Sequence, residues 1–594
     1  MDAPSLRAHN EVAITSANGM TSLRRPGDRG ERIDLSSETE PVVTNDSPAP
    51  PVPPAARWWH PFRIAAVGLF VWLVVLACVM GLPTRLARLA GLLPPQKGPP
   101  FKVSPETTLI TEPLDRHGWP DYVTSVDLRL REGVTPASNL AIELRALLPP
   151  YVTDLGQQAQ YDERLGFSTN ESHSPPFIKV EHALPHLTME ARRKIDWTDR
   201  SFCQEHVWTR AEFPLLAQWI DVNRECLDRL LACQHRTCCY FPRLRSDKSA
   251  SSDLWSPLAS STARSFGFDA RVPLQLALAR SCCLDHPGFP ITSLKDIDAV
   301  RRIAVLRGRH QSKLEQLQVE GYDKHAIWAI VGLLNSGYLG DGDLLFLQEQ
   351  GRTLPPIPPV YEMFDGLEPL ELLDELVHMA RIRRVVDSMK DVNATSYVES
   401  LDRCLRYGPI NWNIVLADAV DATRQQVAIA RIESLPERLR RQDTLIAEMK
   451  TRSAPWSQPV PATVRSLMGR PDDNGHVVAA CVLEGWLKFN RAIFVTSERR
   501  VTMARMLPIL IQLKRWQLRF GSFPATLAQL RSFAPEVPLQ IADPFLDGPD
   551  LIYRVFDGEC RLYSVGPNGR DDGGVHDSLG DDVAFRLSNI AGDP

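Results

Sequence analysis

The sequence predicts a mainly α chain of α+β class, with a disordered N-terminal tail, one transmembrane helix, an all-α body of helical hairpins and a small C-terminal α+β module containing a β-hairpin. Three observations predict it. Apolar residues recur at three- and four-residue spacing through most of the chain, the period of an amphipathic helix. One long stretch, Ile64 to Leu82, holds no charged residue. Near the C-terminus, "LIYRVFDGECRLYSV" places two strand-like runs on either side of Asp557-Gly558, a strong local hairpin signal.

Taken in order, residues 1–60 are rich in Ser, Pro, Asp and Glu and include the run "PAPPVPP" (Pro48 to Pro54). Such a segment buries too little apolar surface to offset the entropy of ordering it, so it reads as a disordered cytoplasmic tail. Residues 61–83 form the expected transmembrane helix. At 1.5 Å per residue the uncharged run 64–82 covers roughly the 30 Å thickness of a bilayer's hydrocarbon. A buried core helix is the competing reading, opposed by apolar character all round and by polar and proline-rich flanks. More than sixty residues precede the run, too many for a cleaved secretory signal, so a signal anchor fits better. "VLAC" (Val75 to Cys78) has the form of a lipoprotein cleavage box, but the long leader and the apolar "VMGL" argue against lipidation. Arg57 and Arg63 flank one end of the run and Arg85, Arg88 and Lys97 the other, so the positive-inside rule does not choose an orientation. The expectation adopted is a single-pass membrane protein with its large C-terminal part extracytoplasmic.

A proline-rich linker, residues 84–106, leads to a helical domain at 107–450. "PDYVTSVDLRLREG" sets Val123, Val126 and Leu130 on one stripe and ends at Gly133, suited to a left-handed cap. "TPASNLAIELRALLPP" offers Thr135 as N-cap and Pro136 at the first helical position. "FPLLAQWIDVNRECLDRLLACQHR" carries Leu216, Trp219, Ile220, Cys226, Leu227, Leu230 and Leu231 at helical spacing. "SLKDIDAVRRIAVLRG", "YDKHAIWAIVGLLNSG" and "LEPLELLDELVHMARI" continue the pattern without the fixed period that would establish helical repeats. A second linker, 451–475, precedes a C-terminal helix plus β-hairpin module at 476–594. There Ile509, Leu513, Trp516 and Phe520 share a helix face that stops at Gly521, and Phe523-Pro524 begins a second short helix.

Length and charge set outer bounds. At about 150 residues per domain, 594 residues allow three or four domains and a substantial core. A net charge of -5 with 23% charged residues shows none of the basic excess of a nucleic-acid binder, so no nucleic-acid partner is expected. The 48 prolines concentrate in the first hundred residues and in connectors, which marks them as linkers.

Two resemblances follow from these motifs. "ITEPLDRHGWPDYVTSVDLRLREGVTPASNLAIEL", "FPLLAQWIDVNRECLDRLL", "LLNSGYLGDGDLLFLQEQGRTLPPIPP" and "NWNIVLADAV", together with the C-terminal block, resemble a family of large single-pass membrane proteins of planctomycete bacteria over most of residues 107–590. That likeness implies architecture and membrane location and no activity. Where such proteins tend to carry Glu-Arg, this chain has Glu368-Pro369, which puts an ion pair there in doubt. The succession of long helix, "FP" turn, short helix, hairpin, "YSVGPNGRDDGG" and "DDV" is similar to the C-terminal half of the major pseudopilins of type II secretion, which implies a calcium ion held by Asn568, Asp571, Asp572, Asp581 and Asp582. Asn568 stands where an aspartate is usual, which removes one negative charge. Calcium takes six to eight oxygens from carboxylates and carbonyls, and Gly566, Gly569, Gly573 and Gly574 let the backbone curl to supply them. The competing reading is a solvated turn, since aspartate and glycine are ordinary turn residues. Pseudopilins place their anchoring helix directly before this module, whereas here the helical body intervenes, so a pilin subunit is not expected.

Cys233, His235, Cys238 and Cys239, with Cys203 and His206 upstream, have the residue types of a zinc site. They lack a CxxC pair, and buried structural cysteine fits them better. Pairing of the eleven cysteines, including the vicinal Cys238-Cys239 and Cys282-Cys283, stays open. GxSxG, HExxH, Walker and GxGxxG motifs are missing from the sequence, and His206, His378 and His476 stand isolated in it. The function expected is therefore a membrane-anchored, non-catalytic interaction or structural protein with an unidentified protein partner. The alternatives are an enzyme whose site lies in a helical cleft and a component associated with a secretion-like assembly.

Overall fold

The computed structural model describes residues 98–148, 155–167, 176–244, 258, 268–309, 312–385, 395–454, 469–556, 558–574 and 581–588. The expected tail, the transmembrane run 64–82 and most of the first linker lie outside these residues. Among the described residues no helix is long and apolar enough to cross a membrane. The segment Pro94–Pro594 forms one compact unit.

That unit is mainly helical and ends in a three-stranded antiparallel sheet. Its principal helices are α1 (Tyr122–Arg131), α2 (Leu140–Leu147), α3 (Leu155–Leu165), α4 (Pro214–Val222), α5 (Arg224–Ala232), α6 (Phe268–Ser281), α7 (Ile291–Arg307), α8 (Lys313–Asn335), α9 (Asp341–Thr353), α10 (Glu368–Ile382), α11 (Thr395–Tyr407), α12 (Trp412–Ala430), α13 (Leu435–Ser453), α14 (Pro471–Phe520) and α15 (Leu527–Phe533). The strands are β1 (Ile552–Phe556), β2 (Glu559–Ser564) and β3 (Val583–Ser588). A further helical run from Met189 to Cys203 lies between α3 and α4.

α14 is the spine. Its 50 residues extend about 75 Å at 1.5 Å per residue. α13, α12, α8 and α9 pack along it, and β2 and β3 rest against it. α7 and α8 form a central pair that packs against α6. α7 is buried on nearly every side, from Leu294, Ile297, Val300 and Ile303 to the polar Asp296, Asp298 and Arg301. α8 starts on a capping box: Glu315 N–H donates to Ser312 Oγ, and Ser312 N–H donates to Glu315 Oε2 at 3.0 Å.

Several boundaries differ from those the sequence suggests. α2 begins at Leu140 and not at Pro136, because Thr135 and Ser138 bond each other in a turn while Asn139 takes over as cap. Asn139 Oδ1 accepts from Ala141 N–H at 3.1 Å and from Tyr240 N–H at 2.8 Å, so tertiary contact selects the cap. The expected single helix from Pro214 breaks at Asn223, whose side chain accepts from Ile178 N–H at 2.8 Å and donates to Ile178 C=O at 3.0 Å. Cys233 consequently follows α5 in a single 3-10 turn. Gly521 has φ +77° and ends α14 as expected, but the next helix starts at Leu527 after a Thr526 cap. The hairpin forms with Phe556 opposite Glu559, and β3 adds a third strand that the sequence reading did not contain.

Candidate functional site

The C-terminal half of α8 leaves a cleft of about 600 Å³ between itself, residues 202–207 and the sheet. Gly332 brings two of these walls together, since a Cβ there would sit 2.4 Å from the Glu205 carbonyl oxygen. The floor is apolar: Trp328 lies 4.8 Å from Phe585 between ring centroids, and Val331 and Val207 adjoin them. Phe202 forms part of one wall, 47% exposed, with the His206 ring stacked on it at 4.4 Å and 3°. His206 Nδ1 is also 3.1 Å from Phe202 C=O, so this histidine, isolated in sequence, is locked in place by its own helix turn.

The two rims carry opposite charge. On one, Glu205 Oε1 is 2.7 Å from His325 Nδ1, which also lies 3.4 Å from Gln204 Nε2. On the other, Arg561 and Arg586 face each other across β2 and β3, a like-charge pair that Glu559 bridges at 3.2 and 3.5 Å. Ser336 supplies a hydroxyl to the wall, but its Oγ donates to Leu333 C=O at 2.7 Å. The arrangement therefore offers an apolar floor, an anion-seeking rim and an acidic rim. Among the described residues it brings no activated nucleophile to the cavity.

Asn335 closes one end. Its Nδ2 donates to Arg586 C=O at 3.0 Å and its Oδ1 accepts from Ser588 N–H at 2.9 Å, as a neighbouring strand's peptide would. None of Glu205, His325, Trp328, Arg561, Phe585 and Arg586 is marked by a sequence motif. Glu205 and His325 are 120 residues apart and meet only through the fold.

The acidic loop assembles only in part. Asn568 Nδ2 donates to Asp572 Oδ2 at 2.9 Å, Asn568 N–H to Asp581 Oδ2 at 3.0 Å, and Gly574 N–H to Asp582 Oδ2 at 2.7 Å. The Asn568 amide and the Asp581 backbone hold the Asp572 carboxyl below its usual range, whereas burial pushes Asp582 up. Asp571 accepts from Gly573 N–H and Tyr563 Oη–H, both at 2.9 Å, and pairs with Arg554, and Asp581 pairs with Arg499. Arginines thus take up the charge of two of the five expected calcium ligands. Among the described residues no three His, Cys, Asp or Glu side chains group as metal ligands. Residues 575–580, between the two halves of the loop, lie outside the described set.

No disulfide joins the described cysteines, and Cys78 lies outside them. Burial pushes the thiols of Cys226 and Cys233 up to about 12, which keeps them protonated. Cys238 and Cys233 instead donate to Ser138 Oγ and Arg229 C=O. His476 is 2.7 Å from Asp418 at the surface.

Ionic clusters lie inside the body, among them one at Asp323 and one at Glu368. Asp323, fully buried, accepts from Arg301 Nε at 2.9 Å and Arg500 Nε at 3.0 Å and so joins α7, α8 and α14. Burial alone would raise its carboxyl, but the two guanidinium groups outweigh it and hold it below the usual range. One turn away, Glu320 is flanked by Gln316 and Ser497, and burial pushes it up to about 7. The second cluster answers the Glu368-Pro369 question: Glu368 does form an ion pair, with Lys313, and also accepts from Trp486 Nε1 at 2.7 Å.

No family model, curated protein or solved structure matches the chain.

Proposed function

We propose that the chain is a membrane-tethered, non-catalytic binding protein, anchored through residues 64–82 and presenting the cleft between α8, residues 202–207 and β3 to an extracytoplasmic partner. The observation that carries this reading is the cleft itself, with an aromatic floor and rims of opposite charge set on a rigid helical scaffold. Its size suits a ligand or a short protein segment. A second reading, an enzyme, is favoured by one contact, the Glu205–His325 pair, which has the form of an oriented general base.

The test is a calorimetric titration of the full chain in lipid nanodiscs with 4-phenylbutyrate, an aromatic ring joined to a carboxylate. Saturable binding is expected, weakened at least tenfold in Ser336→Trp, where an indole fills the cavity. Equal binding by a Ser336→Trp chain of unchanged melting temperature would contradict the assignment. A periplasmic reporter fused to the C-terminus should be active, and a reporter active only in the cytoplasm would overturn the topology.

A further inference from the structure

The outer edge of β3 runs along the cleft, and its backbone has an order that side chains alone would not show. In an antiparallel strand the N–H and C=O of one residue point to the same side and alternate from residue to residue. Asn335 takes the C=O of Arg586 and the N–H of Ser588 from outside the sheet. Residues 584, 586 and 588 therefore direct their peptide groups away from β2, and 583, 585 and 587 direct theirs towards it. Ala584 N–H and C=O and Arg586 N–H accordingly face the cavity that Ala584, Phe585 and Arg586 line.

We propose, resting on the cleft reading above, that the partner is an extended peptide segment that pairs with the outer edge of β3 as a fourth strand. The side-chain chemistry on the two faces of the sheet sets its composition. Phe585 points to the face where Trp328 and Val331 form the floor, so alternate peptide residues are apolar. Arg561 and Arg586 lie on the opposite face and, among the described residues, share the single carboxylate of Glu559, so the intervening residues are acidic. Main-chain bonds to the edge give affinity and the alternation gives specificity, as in other strand-addition complexes. Asn335 sets one end of the peptide, because its amide already occupies the next two edge groups.

The probe is the heptapeptide Glu-Val-Glu-Phe-Glu-Val-Glu, acetylated and amidated, titrated calorimetrically into the full chain in nanodiscs. Two analogues carry N-methyl groups, one at odd and one at even positions. One analogue should bind like the parent and the other at least tenfold more weakly, since only one edge of a strand faces β3. Ala584→Pro, which removes an outward N–H and no bond to β2, should weaken the parent peptide at least tenfold. Equal affinities of the two analogues, whether retained or lost, overturn strand pairing and leave the cleft assignment standing. Loss of both phenylbutyrate and peptide binding in the wild-type chain overturns the two together. A dimer of the free chain that Ala584→Pro dissolves would give the edge to a second copy and likewise overturn the proposal.

Discussion

At the scale of single residues, the body's buried charges behave in two ways that the surrounding groups decide. Asp323 meets two guanidinium groups and stays ionised, whereas Glu320, a turn away and 3% exposed, finds too little compensation and is raised to about 7. A raised carboxyl binds its proton more tightly in the folded than in the unfolded chain, so its contribution to stability is greatest below the unfolded value near 4.5 and is lost as pH climbs through about 7. At about 1.4 kcal/mol per unit, the loss amounts to a few kcal/mol. Glu320→Gln should therefore raise the melting temperature at pH 8 and change it little at pH 4.5. Equal shifts at both values would show that Glu320 is ionised throughout. Neither role was legible in the sequence, where no local pattern singles out Glu320 or Asp323. Their burial comes from α7 and α14, which cover them from positions on either side in the chain.

At the scale of elements, local chemistry predicted what local chemistry governs. The hairpin at Asp557-Gly558, the Gly521 cap and the helical stripes of α1, α4 and α5 all follow from residues within a few positions of each other. The cap of α2 and the break at Asn223 did not, because Tyr240 and Ile178, distant in sequence, compete for those side chains. The cleft depends in the same way on Gly332, a residue that sequence alone would count as a weak point in a helix. Gly332→Ala would gain about 1 kcal/mol of helix propensity, but its Cβ at 2.4 Å from a backbone oxygen forces α8 and residue 205 apart. Overpacking of this kind costs about 1–3 kcal/mol, so a lower melting temperature and weaker phenylbutyrate binding are expected. A more stable variant with unchanged binding would refute the close approach. In the acidic loop Arg554 and Arg499 engage Asp571 and Asp581, two of the five residues expected to hold an ion. Both pairs are partly exposed and worth at most about 1 kcal/mol each. Thermal melts of the full chain should thus respond only slightly to Arg499→Ala. A rise in melting temperature with calcium that Asp581→Ala abolishes would support the ion expected from the pseudopilin resemblance, and no rise would remove it.

At the scale of the whole molecule, α14 turns a set of helical hairpins into a single frame, and the sheet packs against it so that β3 faces α8 across an open seam. The mainly α class with a small C-terminal sheet was legible from periodicity and turn chemistry. The seam was not, since its walls come from residues near 205, 330 and 585, and no pattern within one segment encodes their meeting. Trp328 sits on the floor of that seam and can report on it directly. The decisive measurement is the 19F spectrum of the full chain labelled with 5-fluorotryptophan, with the Trp328 resonance assigned by its loss in Trp328→Phe, recorded during titration with 4-phenylbutyrate. The Trp328 signal should shift saturably while the buried Trp219 and Trp412 signals stay fixed. A Trp328 signal that does not move while others do would contradict the assignment of the cleft as the binding site.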